Sequence, residues 1–292
     1  MQMAKKSTPY ILIAPAFLFL IFIIIFPFIF TIRNSFMNWN LQTSVAPAGF
    51  VGGANYRLVF QDPTFLAAIV NTLKLSFAGT IIEFALGLVV ALLLYEGLKG
   101  TKKIRALLIM PVTVAPMIAG LIFRYLYDAD GLIPFLLHCV GIGTPKQGIL
   151  GNEHTVLWGV LLTDLWQWTP FFAIILLAGL QSISDEMIEA ATVDGASYLK
   201  RLWHILLPNL NFVAVMIFLI RFMQLFNLFD IIFAETRGGP GVASRTLSYN
   251  LYYAGLIEFN IGYSSAVAVI MILISMVIIN VFIFVTFRGK EL

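Results

Sequence analysis

Long apolar runs separated by polar connections set the pattern of this chain. A bilayer-crossing helix takes about 20 mainly apolar residues, and six segments reach that length, over residues 10–32, 71–95, 106–127, 156–180, 210–233 and 262–287. The first run is too long for an ordinary secretory signal and has no small-residue cleavage site, so a retained helix is expected. The connections are unequal. Residues 34–70, 128–155 and 234–261 lie on one side, and 96–105 and 181–209 on the other. These features predict an all-α polytopic membrane protein with six transmembrane helices. A single transmembrane domain is expected over residues 1–292, with its core at about 70–287.

Composition agrees with this solvent. Of the 292 residues, 60% are hydrophobic and 11% charged, against about 25% charged in an ordinary soluble domain. The net charge of +3 is small, and its placement carries the information. Lys5, Lys6, Lys99, Lys102, Lys103, Arg105, Lys200, Arg201, Arg288 and Lys290 fall on one side. Arg33, Arg57, Arg124, Lys146, Arg237 and Arg245 fall on the other, while Lys74 and Arg221 lie within spans. The positive-inside rule then puts both termini in the cytoplasm, as an even number of spans requires. One cysteine, Cys139, excludes an internal disulfide, and it makes with His138 a loop-side pair too small for a zinc site. No metal and no nucleic-acid partner are expected. Neither is ATP binding, because no Gly-x-x-x-x-Gly-Lys-Ser/Thr phosphate loop is present.

The long inner connection, residues 182–208, has a pattern of its own. Ser184 is placed to cap a helix whose first turn holds Asp185 and Glu186, where negative charge suits the helix dipole. Met187, Ile188, Ala190 and Ala191 give that helix an apolar face. Asp194-Gly195 ends it, since glycine readily takes the left-handed conformation. A second amphipathic stretch from Tyr198 to Leu207 follows, and Pro208 opens the next span. By itself this pattern fits an interfacial linker and a docking element equally.

Glu189-Ala190-Ala191, Gly195, and Ile205, Leu207 and Pro208 stand at the spacing of the EAA loop of ABC importer permeases, without a gap. The chain resembles that family over nearly its whole length. Phe26-Pro27 with Asn34-Ser35-Phe36, Gly52-x-x-Asn55-Tyr56, Asn71-Thr72, and Phe229-Asp230 with Thr236-x-Gly238-Gly239-Pro240 and Thr246 are similar to the carbohydrate-import branch, of which the maltose permeases are familiar members. Arg124 stands where an aromatic residue is more usual, and Pro134 where Asn is frequent. The resemblance implies an inner-membrane location in a prokaryote. It also implies a second homologous permease chain, two ATPase subunits holding the ATP and Mg, and an external solute-binding protein. Glu189, Ala190, Ala191, Asp194 and Gly195 would then couple the spans to an ATPase.

Polar residues inside the spans are the remaining candidates. A charge at the bilayer centre costs about 2.5–3.5 kcal/mol on insertion scales and normally faces protein or water. Arg221, Gln224, Asn227 and Asp230 recur every three residues, along one stripe of a continuous fifth helix. Asp164, Trp166, Gln167 and Trp168 lie in the fourth span, ahead of a kink expected at Pro170, and Glu83 lies in the second. All eight residues of the two spans are candidates for a substrate passage, in which aromatic faces and amides suit a polyhydroxylated ligand. Pairing of Arg221 with Glu83 as glue between helices is the favoured alternative for that pair. Trp166, Gln167 and Trp168 fit packing and passage equally, and Asp230 fits solvation near the outer end. The glycine-rich turn at Gly238–Gly241 is expected at the outer mouth. Outside this family, an ion-coupled secondary transporter would need paired broken helices in two halves. An intramembrane enzyme would need a catalytic constellation. Neither pattern is present in the sequence.

Overall fold

A computed structural model describes residues 8–97 and 101–287. Lys5, Lys6, Lys99, Arg288 and Lys290, which carry part of the charge asymmetry, lie outside the described residues. Helix α1 (Thr8–Ser35) leads to a short antiparallel pair, β1 (Met37–Asn38) and β2 (Gly49–Phe50), and then to α2 (Ala54–Gln61). Next come α3 (Pro63–Tyr95), α4 (Thr101–Ile109), α5 (Pro116–Leu126), α6 (Leu132–Cys139) and α7 (Val156–Gln181). The chain continues through α8 (Asp185–Val193), α9 (Tyr198–Arg201), α10 (Leu207–Phe226), α11 (Asp230–Glu235), α12 (Leu247–Tyr252) and α13 (Ile261–Phe287). Among the described residues, five helices are long and apolar enough to cross a bilayer, or six if one sharply bent pair counts as a span.

The chain packs as two compact units, Met1–Pro63 with Leu251–Met276 and Thr64–Asn250 with Val277–Leu292. In the first, α1 is apolar all round, and the most apolar stretch of it has no buried residue. Such a helix is stable only against lipid or another apolar surface. Asn55 ties its end down. The side-chain amide donates to the carbonyls of Ser35 (2.8 Å) and Met37 (2.9 Å), while the hydroxyls of Ser35 and Tyr56 share a 2.6 Å bond.

In the second unit the core lies among α3, α7 and α10, where Ala91, Leu94, Phe172, Leu176, Leu180 and Leu210 are buried together. Gly87 lets α3 and α7 approach closely, since a Cβ there would land on Cβ of Phe172. Asn71 and Thr72 fasten α3 to the segment ahead of α12. The Asn71 amide donates to the carbonyls of Val242 and Arg245, each at 3.1 Å. The hydroxyl of Thr72 accepts from the Leu247 N–H at 2.9 Å.

The structure corrects the expected spans in several places. The second starts at Pro63, not near residue 71. Proline suits a first helical turn, and the resulting helix is about 50 Å long at 1.5 Å per residue. The third span is not one helix. It breaks into α4, a 3₁₀ turn at Pro111–Thr113 and α5, bent by 96°. Pro111, which lacks an N–H, opens the 3₁₀ turn, and Pro116 drives the residue before it from helical geometry. Ala115 accordingly sits at ψ 136°. The fifth helix ends at Phe226, so the expected stripe through Asp230 is interrupted: Asn227 caps α10 and Asp230 opens α11. Pro170, in contrast, lies inside an unbroken α7. His138 and Cys139 close a short helix and do not sit in a loop.

Substituting Gly87 by Val should overpack the α3–α7 contact and cost about 1–3 kcal/mol. Thermal unfolding of the purified chain in detergent should shift downward. An unchanged midpoint would mean that the two helices can part without cost.

Candidate functional site

The buried charges of the second unit form a triad. Arg221 on α10 reaches Glu83 on α3 through Nη2 at 2.7 Å and Nε at 3.0 Å. The same Nη2 meets Asp164 on α7 at 2.6 Å. All three residues are at most 2% exposed. The fork of the guanidinium suits two-pronged pairing with a carboxylate. Its remaining donor, Nη1, is 2.9 Å from Oε1 of Gln224, and the Trp168 ring lies over it with the guanidinium carbon 4.7 Å from the ring centroid. Arg221, Asp164, Gln224 and Trp168 therefore meet around one cation, with Glu83 as an acidic partner.

The other fourth-span candidates point elsewhere. Gln167 is fully buried and donates to the carbonyl of Val114 at 2.5 Å. That carbonyl lies at the break between α4 and α5, where helical bonding is lost. Non-helical backbone at membrane depth requires such a partner. Trp166 is exposed, packs on Phe123 at 5.1 Å between centroids, and lines an apolar groove with Leu86, Val90 and Leu108. Asn227 and Asp230 are exposed, and the Asn227 amide donates to its own helix at the Met223 carbonyl.

The loop that follows α7 is built as a helix, a turn and a second helix. Ser184 occupies the N-cap position of α8 with extended backbone, but its side chain makes no cap bond. Asp185 and Glu186 fill the first turn. At the other end the Ala196 N–H bonds to the Ala191 carbonyl (2.9 Å) and the Gly195 N–H to that of Thr192 (3.1 Å). These are the paired bonds of a Schellman stop. They need Gly195 at φ +73°, a left-handed conformation that is costly for residues with a Cβ. No residue of α8 is buried. The second helix differs from expectation, because α9 passes through a π-helical turn, Leu202–Leu206, directly into α10. Arg201 braces the loop, donating from Nη1 to the Thr192 hydroxyl at 2.8 Å.

Residues 83–288 match the family described as the inner membrane component of binding-protein-dependent transport systems. The chain belongs to that family. It is accordingly a multi-pass permease of the inner membrane. It is 32% identical to the trehalose/maltose transport system permease protein MalF of Thermococcus litoralis, over 81% of this chain and 80% of the relative. It is 31% identical to the sn-glycerol-3-phosphate transport system permease protein UgpA of Brucella abortus, over 92% and 91%. A chain of a bacterial ABC transporter involved in import of the acidic polysaccharide alginate shares its fold, with a TM-score of 0.83 and 21% identity over 97% and 96% of the two chains.

Two parts of the permease escaped sequence reading. The pairing of Arg221 with Glu83 was expected and is present, but Asp164 as a second carboxylate on the same guanidinium was not expected, because it lies in another span far along the chain. The α4–α5 break was signalled by Pro111 and Pro116, and its anchor Gln167 was not.

Removing the positive charge with Arg221→Gln should leave two buried carboxylates unpaired and cost about 3–5 kcal/mol. Folded, monodisperse protein should fall sharply on size-exclusion chromatography. The triple variant Glu83→Gln/Asp164→Asn/Arg221→Gln should recover much of it, and failure to recover would show that more than charge balance is at stake.

Proposed function

We propose that the permease is the membrane-spanning subunit of an ATP-binding-cassette importer for a sugar, oligosaccharide or polyol. It forms the passage with a second homologous permease chain, as one transmembrane domain with a core at about 70–287. Two cytoplasmic ATPase subunits, which hold the ATP and Mg, drive it, and an external solute-binding protein supplies the solute. Both termini face the cytoplasm. Glu189, Ala190, Ala191, Asp194 and Gly195 couple the spans to an ATPase. ATP-driven closure of the ATPases rocks the helices between inward- and outward-facing states around the passage.

The observation that carries this reading is the coupling loop, residues 182–208. An α8 with no fully buried residue, stopped by Gly195, leads on to α9, which runs without a break into α10. A push on α8 is thereby transmitted to the helix that holds Arg221. The names of the relatives support the sugar class. So does the mix of Trp168 and Gln224, half-buried and exposed against Arg221, with Asn227 and Asp230 next along the chain. An anionic saccharide or sugar phosphate is the second reading, favoured by the exposed Arg124. Arg221 offers that reading little, since two carboxylates and Gln224 already occupy it.

Glu189→Lys reverses charge on the proposed contact, and Gly195→Leu forbids the turn. Each should lower solute-stimulated ATP hydrolysis of the reconstituted complex by about tenfold, within the usual 1–3 kcal/mol of coupling between sites. The amount of permease inserted in the membrane should stay the same. Normal stimulation in both variants would reduce the loop to a linker.

A further inference from the structure

Away from the triad, a cavity of about 350 Å³ opens between α5, the stretch after it and the end of α11. Arg124, Tyr127, Asp128, Gln147, Glu235 and Thr236 line it, and none of the passage candidates does. Glu235 is 4% exposed. Its Oε1 accepts from the Thr163 hydroxyl at 2.5 Å, and its Oε2 has no hydrogen-bond partner among the described residues. The neighbouring Tyr127 hydroxyl is engaged, since it donates to the Gly159 carbonyl at 3.0 Å. One Asp128 oxygen is likewise taken, by the Ala129 N–H at 2.6 Å. Arg124 is exposed and makes no hydrogen bond or ion pair among the described residues.

A buried carboxyl oxygen without a hydrogen-bond partner is costly, and its presence in a cavity asks for a partner from outside. No group of three or more His, Cys, Asp or Glu side chains suited to a metal gathers among the described residues. What the cavity offers is a buried, unpartnered carboxyl oxygen on one wall and an unused fork of donors on another. A ligand carrying several hydroxyls satisfies both, because each hydroxyl donates and accepts. The volume sits at the low end of the roughly 300–1,000 Å³ of small-molecule pockets and suits one ring better than an oligosaccharide.

We propose that this cavity is a binding site for a single neutral sugar ring or polyol, in which Glu235 Oε2 hydrogen-bonds one hydroxyl and Arg124 donates to another oxygen. The site rests on the saccharide reading above and adds to it a station beside the Gly239–Pro240 turn, apart from the triad.

The test uses the complete transporter. Uptake of radiolabelled maltose, trehalose, glycerol and sn-glycerol 3-phosphate is first measured with the binding protein present. In a Cys139→Ser background, Gln147→Cys then places a thiol on the exposed rim, and its alkylation by a membrane-impermeant maleimide is timed without binding protein. A transported neutral compound at saturation should slow alkylation by about tenfold or more, as occupancy follows mass action. Adding Arg124→Gln or Glu235→Gln should abolish that protection. If Glu235→Gln reduces the assembled complex, the surface variant Arg124→Gln decides. A transported compound that gives no protection, or protection that survives Arg124→Gln, overturns the site and leaves the permease reading intact. Protection by sn-glycerol 3-phosphate alone overturns the neutral ligand class. If no sugar or polyol is taken up at all, the saccharide reading fails and the site falls with it.

Discussion

A guanidinium placed among apolar helices has to be neutralised where it stands, and in this permease that requirement falls on Arg221. Water cannot reach it, so Glu83 and Asp164 supply the compensating charge from α3 and α7. Two carboxyl groups share one cation, and small displacements of any member are costly in a medium of low dielectric. The consequence is geometric. α3, α7 and α10 must keep their register, because sliding one helix by a turn, about 5.4 Å, would strand a charge. The leucine-rich packing of Leu94, Leu176 and Leu210 supplies cohesion without such specificity. The triad fixes which residues of the three helices face one another.

Register matters because neighbouring segments are not helical throughout. The α4–α5 break and the end of α10 at Phe226 both leave backbone groups without intrahelical partners. Each is answered locally. Gln167 on α7 takes the Val114 carbonyl, and the Thr246 hydroxyl donates to the Leu228 carbonyl at 2.9 Å. Both anchors lie in the same unit as the triad, so the broken elements are positioned by a part of the structure that is itself pinned. Close approach of α5 to α11 adds to this. A Cβ on Gly120 would come within 2.8 Å of the Ala234 Cβ.

Sequence patterning shows the lipid-facing character of the chain well, because runs of apolar residues are a one-dimensional signal. The coupling loop is legible for a related reason: a first-turn acid pair, a short apolar face and a glycine stop are all local, and Gly195 takes the left-handed φ that the reading requires. Asn55, Asn71 and Thr72 stood out as motif residues, and each turns out to fasten backbone across many residues. What patterning showed only in part is partner choice. The scarcity of charge inside the spans pointed Arg221 to Glu83, but Asp164 as a second partner lies a further span away, and a period of three along α10 says nothing about where that helix stops. The interruption at Asn227 is a tertiary effect, since nothing in Leu225–Phe226–Asn227 is a strong breaker. The starts of α3 and α4 were placed too late. The first turn of α4, from Thr101, is polar and falls outside an apolar run, whereas residues 63–70 of α3 are mostly apolar and had been given to the outer connection.

The triad also determines how one passage candidate can act. An amide side chain has one acceptor and two donors, and its orientation follows from the bonds it makes. Gln224 spends its Oε1 on Arg221. Its nitrogen is therefore turned away from the cation, on a residue that is exposed. In the proposed passage Gln224 is then a hydrogen-bond donor, with an orientation set by a charge one helical turn away. Asn227, whose nitrogen is committed to the Met223 carbonyl, presents the opposite polarity through its free oxygen. A donor and an acceptor one turn apart, each locked by its own second bond, discriminate among hydroxyl patterns better than two freely rotating amides would, because less conformational freedom remains to be lost on binding. The buried charges need not touch a solute to shape its recognition. Arg221 holds Gln224, and the backbone of α10 holds Asn227.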